Sequence, residues 1–414
     1  MSRLFGTADI LIPQVKNMEK WAVIACDQFT SDAEYWQRVA KNTKGYPSTA
    51  NLILPECYLG REDEPERIAK IKDTMAEYLE SGVFTEYPGS YVYVERTQEN
   101  GSVRHGIVGA VDLEQYDYSR DSKSMIRATE ATVEERIPPR MRVRKGAALE
   151  LPHIIMLFDD FQDRIQKYIE TIKPDLKQLY SFDLQEEGGH IAGWLVNGEY
   201  AKKIDSLFDE YCAETDSRYN GVEGEPFLLA VGDGNHSLAT AKKCFEEMKA
   251  ENPGKDFSNH PARRCLVELE NIHDHSIVFE PIHRVIFDTE PARLLEKLKE
   301  SCCAPDGYTI RWVSGESEGS LTLDRNKGEL AVAILQEFLD GYLSENEGRI
   351  DYIHDDDALI NLAKNDNAIG FLLPYMEKKQ LFRGVMAYGA LPRKTFSMGH
   401  SREKRYYIEG KKIK

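Results

Sequence analysis

The sequence is 414 residues long, 41% hydrophobic and 30% charged, with a net charge of −17 at pH 7. That length predicts two or three compact units with sizeable cores. The acidic balance argues against extended contact with nucleic acid or an anionic membrane, because phosphate binding needs a basic face. No charged-then-apolar leader opens the sequence, and no run reaches the ~18 apolar residues of a membrane span. The seven cysteines lack zinc-type spacing, so the expectation is a cytoplasmic protein with reduced thiols.

In chain order, 10–13 reads as an extended segment and 21–25 as a first buried strand. That strand ends in Cys26-Asp27-Gln28-Phe29-Thr30, before the helix-capping run Ser31-Asp32-Ala33-Glu34. Asp27 is a candidate site carboxylate, with turn chemistry as its structural alternative. Apolar residues at Ile68, Ile71, Met75 and Leu79 predict an amphipathic helix over 65–79. Two strand-like runs, 91–96 and 104–112, flank Asn100-Gly101, a hairpin signal because that pair tolerates the required backbone. A basic island follows over 120–145, holding Arg127, Arg136, Arg140, Arg142, Arg144 and Lys145 around Glu130. It reads either as an anion pocket or as a solvated face.

Strands are expected over 152–158 and 193–196, and helices over 163–180 and 199–212. Asp159-Asp160 closes the first strand as a magnesium-type pair or a helix cap. The central stretch is 227–250. A short apolar run, 227–231, breaks at Gly232-Asp233-Gly234, and Asn235-His236-Ser237 opens a helix over 238–248. Glycine lets a ligand approach the backbone, and the first turn of a helix presents unpaired N–H groups to an anion. Gly232, Gly234, Asn235, His236 and Ser237 are therefore candidate phosphate or carboxylate ligands, with Asp233 a candidate base.

Beyond it, 265–269 reads as a strand. His273 and His275 would share a strand face, as a metal site needs, but no third ligand is visible locally. A surface or packing role is the alternative, and no metal ligand is assigned. His283-Arg284 suits a phosphate, since arginine binds oxyanions through a fixed fork. Helices over 290–301 and 329–343, and strands over 308–313, 321–324, 352–353 and 368–373, complete the pattern. The acidic run after His354 reads as a helix cap, and Lys394 sits in a loop rich in anion-binding side chains. The fold class is α+β, with mixed sheets and flanking helices, divided as 1–225 and 226–414.

Several stretches together resemble a bacterial family, domain of unknown function 1015. They are Ala25-Cys26-Asp27-Gln28-Phe29, Arg127-Ala128-Thr129-Glu130-Ala131-Thr132, Val231-Gly232-Asp233-Gly234-Asn235-His236-Ser237, Phe279-Glu280-Pro281-Ile282-His283-Arg284 and Leu391-Pro392-Arg393-Lys394-Thr395. The loop and helix also look like the core element of the ParB/sulfiredoxin superfamily, which includes partition proteins, sulfiredoxin and small-molecule serine kinases. There a glycine opens the helix, an arginine follows three places on, and an alanine packs the helix close. Gly234 and Ala241 match, whereas Ser237 stands where the arginine belongs. The resemblance implies a nucleotide-phosphate pocket whose cation comes from elsewhere: Arg284, Lys394 or the basic island.

Three functions follow as expectations. The first is nucleotide-dependent phosphoryl transfer, from ATP or ADP with Mg2+, to a small hydroxyl metabolite. Here His236, Asp233 and Asp27 are catalytic, and Arg127, Glu130, His283, Arg284 and Lys394 join the loop in binding. The second is a non-catalytic nucleotide- or metabolite-binding protein using the same pocket. The third is a metal-dependent hydrolase using His236 and Asp233, with metal at His273 and His275. In each the partner is a small molecule, with neither nucleic acid nor membrane, and the oligomeric state is left open.

Overall fold

The computed structural model describes residues 3–26, 29, 32–399 and 401–414. The chain is a mixed α+β protein. Among the described residues, strands form a 13-stranded sheet, a 5-stranded sheet and a 2-stranded one. In the large sheet the strand Leu229–Asp233 lies parallel to Ile126–Ala128 and antiparallel to Ile155–Phe158. Ile155–Phe158 in turn runs parallel to Arg264–Asn271. Leu229, Ala230 and Val231 are fully buried, which suits a continuous apolar run covered on both faces. The hairpin forms as its turn chemistry predicts: Phe84–Thr97 pairs with Val103–Asp112, and Gly101 takes φ +81°.

The smaller sheet is antiparallel throughout, in the order Ser317–Asp324, Gly307–Ser314, Ile369–Leu372, His283–Phe287, Arg349–Ile353. Helices Pro291–Cys302 and Ala331–Glu345 contribute to its core, which reaches Ile155, Leu157 and Ala230 of the large sheet through Phe279, Phe396 and Met398. The ribbon Phe279–Pro281 with Phe396–Met398 sits at this junction. Across the central helix, Asn235–Glu251, packs the helix Ile137–Arg144, through Ile137 and Met141 against Ala239 and Cys244.

Two expected elements take a different form. Residues 21–25 are not a strand. Met18–Trp21 is a helical turn capped by Asn17, and Val23 makes only an isolated bridge to Tyr407. Side chains take over the pairing there: Ser48 and Thr49 hydroxyls donate to the Trp21 carbonyl, and Thr49 Oγ1 accepts from the Val23 amide. The helix expected over 163–180 stops at Ile172, and Lys177–Asp183 is a strand paired with His190–Val196. Pro174 lies in the short turn after the helix, where its missing N–H and ring oppose continuation. Asp355 caps the helix Asp356–Ala363, accepting the Ala358 amide at 2.8 Å. No described helix is long and apolar enough to cross a membrane.

Candidate functional site

The strand Leu229–Asp233 and the helix Asn235–Glu251 are joined by a single residue, Gly234, at φ +83°. A Cβ there would lie 3.0 Å from the Ile154 Cα, so conformation and space both call for glycine. No side chain caps the helix, and its first-turn N–H groups have no intrahelical acceptors. Gly232 through Ser237 line a cavity of about 700 Å³. Glu130, Lys394 and Lys404 line the same cavity.

Two of its carboxylates are held differently. Asp233 Oδ1 accepts the Gly234 amide at 3.0 Å, while its buried Oδ2 has no hydrogen bond among the described residues and lies 3.7 Å from Lys404 Nζ. Glu130 Oε1 accepts the Thr395 amide at 3.2 Å. Burial raises the Glu130 pKa, opposed by backbone N–H groups at Lys394 and Thr395 and by the charges of Lys394 and Lys404. Asn235 Oδ1 is buried and accepts no hydrogen bond among the described residues, a polar group that is costly to leave unpaired.

Lys394 carries φ +59°, a left-handed conformation uncommon for a residue with a side chain. Arg284 holds this loop from behind: its guanidinium donates to the carbonyls of Lys394 at 2.9 Å and Arg393 at 3.3 Å, and to Gln336 Oε1 at 3.0 Å. Burial lowers the Arg284 pKa to about 10. His236 is engaged as well, its Nε2 accepting the Val133 amide at 3.2 Å.

The structure therefore brings together Gly232, Asp233, Gly234, Asn235, His236, Ser237, Glu130 and Lys394. It does not place Arg127, His283 or Arg284 on that wall. Arg127 donates to the carbonyls of Ser124 and Pro226 and lies over the Phe227 ring. His283 accepts the Leu373 amide through Nδ1 and faces Asp356 through Nε2 at 2.7 Å. Burial lowers its pKa, against the pull of Asp356. The orientation of these three follows from burial, which forces a polar group onto the nearest backbone partner. Asp27 lies outside the described residues.

Lys404 carries no local signal in the sequence. Its position depends on buried arginines far away in the chain: Arg104 donates to the Glu403 carbonyl at 2.8 Å and Arg96 to the Arg402 carbonyl at 2.7 Å. No local pattern announces such contacts. The metal candidates His273 and His275 lie in the turn after Arg264–Asn271 and not on a strand face. His273 Nε2 pairs with Asp159 at 2.7 Å, and Asp160 accepts from the Arg164 backbone and guanidinium. No group of three or more potential ligands occurs among the described residues.

A family model described as protein of unknown function (DUF1015) matches residues 11–408. The chain belongs to the DUF1015 family. No curated protein is significantly similar to this DUF1015 chain. Among solved structures it is similar to C-terminally truncated SbnI from Staphylococcus aureus, at 10% identity and TM-score 0.35, covering 70% of this chain and 82% of that one. A free serine kinase in complex with AMP matches at 10% identity and TM-score 0.37, covering 73% and 90%. A conserved hypothetical protein from Pyrococcus furiosus matches at 9% identity and TM-score 0.34, covering 75% and 95%. At that distance the likenesses carry no functional argument.

Proposed function

We propose that this DUF1015 protein is a nucleotide-dependent phosphotransferase acting on a hydroxyl metabolite, with its phosphate site at the Gly232–Ser237 loop. One observation carries it: an uncapped helix start, the carboxylates of Glu130 and Asp233 and the cations Lys394 and Lys404 line one cavity, with Lys404 3.7 Å from Asp233. Phosphoryl transfer depends on donors and cations around the phosphates and a base for the acceptor hydroxyl. Lys404 takes the place of the arginine missing at Ser237. Glu130, with its raised pKa, is the better base, because a carboxylate tuned towards neutrality both holds and releases a proton.

In the step, the acceptor hydroxyl oxygen bonds to the terminal phosphorus and its proton passes to Glu130. The phosphorus–oxygen bond to the nucleotide breaks, and the leaving phosphate keeps the electron pair. Magnesium is held by one or two carboxylates plus substrate phosphates, and the unbonded Oδ2 of Asp233 fits that demand. Bound magnesium would neutralise phosphate charge.

Calorimetry with ATP and ADP, with and without magnesium, tests the proposal. Nucleotide binding is expected, weakened at least tenfold, about 1.4 kcal/mol, in Lys404→Met. Absence of binding by ATP, ADP and inorganic phosphate at millimolar concentration overturns it. The engagement of His236 Nε2 by Val133 removes one candidate base and favours, as a second reading, nucleotide binding without turnover. Phosphorus NMR over a panel of alcohols separates the two.

A further inference from the structure

The cavity continues past the loop. Arg136, Arg140 and Val143 line it, at the spacing that puts side chains on one face of the helix Ile137–Arg144 and the turn before it. The run begins beside the loop, because Val133, three residues earlier, donates its amide to His236. Val143 lies about 10 Å further on, at ~1.5 Å of rise per residue.

At that far end the helix Glu64–Glu80 packs alongside: Arg142 pairs with Glu64 at 2.6 Å, and Lys72 donates to the Arg142 carbonyl at 3.0 Å. The wall here is apolar, with Leu52, Leu54, Leu59 and Met75 lining the cavity. Arg136 and Arg140 lie towards the loop end of the run; at this end the lining cation Arg144 is paired with Glu150, and Arg142, outside the lining, with Glu64. An anion gains little from such a chamber, whereas a hydrocarbon gains roughly 25 cal/mol for each Å² withdrawn from water.

We infer that the acceptor is amphiphilic: a hydroxyl at the loop end, joined to an aliphatic group that fills the chamber between Leu54, Met75 and Val143. This rests on the phosphate reading of the loop. The phosphorylated product is then an alkyl phosphate, whose head and tail match the two ends of the cavity.

Calorimetry with inorganic, methyl, butyl, hexyl and octyl phosphate, kept below micelle-forming concentrations, tests it. Affinity is expected to rise with chain length, by up to about fourfold per buried methylene. Leu54→Gln and Val143→Thr are expected to flatten that rise. A flat wild-type series in which inorganic phosphate still binds overturns the amphiphilic acceptor and leaves the phosphate site standing. A rise that survives both substitutions also overturns it, because the tail then sits elsewhere. Failure of the whole phosphate series to bind, together with ATP and ADP, overturns both assignments.

Discussion

His236 follows the glycine loop, yet its Nε2 is occupied by a backbone amide of the segment carrying Glu130. Removing the ring leaves the Val133 N–H to find a new acceptor at a half-buried position. His236→Ala is expected to lower stability by about 1 kcal/mol, read as a shift in the urea midpoint. A variant of unchanged stability that loses tenfold in nucleotide affinity would return the ring to direct contact with ligand. Glu270 shows a second constraint at this scale. Burial pushes its pKa up to about 8, and Arg104, 3.0 Å away, only partly opposes this. The folded protein therefore binds more protons here than the unfolded chain between the ordinary glutamate value of 4.5 and about 8. Stability contributed by this group is full below that window and is lost as pH rises through it. Glu270→Gln should flatten the fall in melting temperature across the same interval.

The element most legible in the sequence is also one that lines the cavity. Glycine-bounded apolar residues followed by helix formers predict a strand and a helix, and both appear, as Leu229–Asp233 and Asn235–Glu251. Gly234→Ala would force a positive φ on alanine and press its Cβ onto Ile154. A loss of about 1–2 kcal/mol is expected, measurable by urea unfolding. What local pattern could not show is pairing between distant segments. Lys177–Asp183 becomes a strand because His190–Val196 is beside it, and 21–25 is not one because Ser48 and Thr49 reach the backbone first. The same limit applies at the cavity: the loop, Glu130 and Lys394 stood out by residue type, whereas Lys404 is placed by buried arginines that no nearby residue announces.

At the scale of the molecule, the sheets meet at the ribbon of Phe279–Pro281 and Phe396–Met398, and Arg284 fastens the small sheet to the loop bearing Lys394. Arg284→Met keeps the bulk but strips several buried carbonyls of their donor. A stability loss of at least about 2 kcal/mol is expected, together with weaker nucleotide binding as Lys394 relaxes, read by chemical unfolding and calorimetry. The large sheet closes in another way. Gly410–Lys412 lies between Ala8–Pro13 and Leu149–Glu150, so Ile10 pairs with Lys411. On the ribosome, at ~5–20 residues per second, the first of these strands waits roughly 20–80 s for its neighbour. For that interval it has an uncovered edge, open to pairing with another nascent chain. Lys404 and Tyr407 precede the closing strand by only a few residues, so the cavity is completed at nearly the same moment as the sheet. A stalled or shortened translation product would expose an adhesive edge and have no finished cavity.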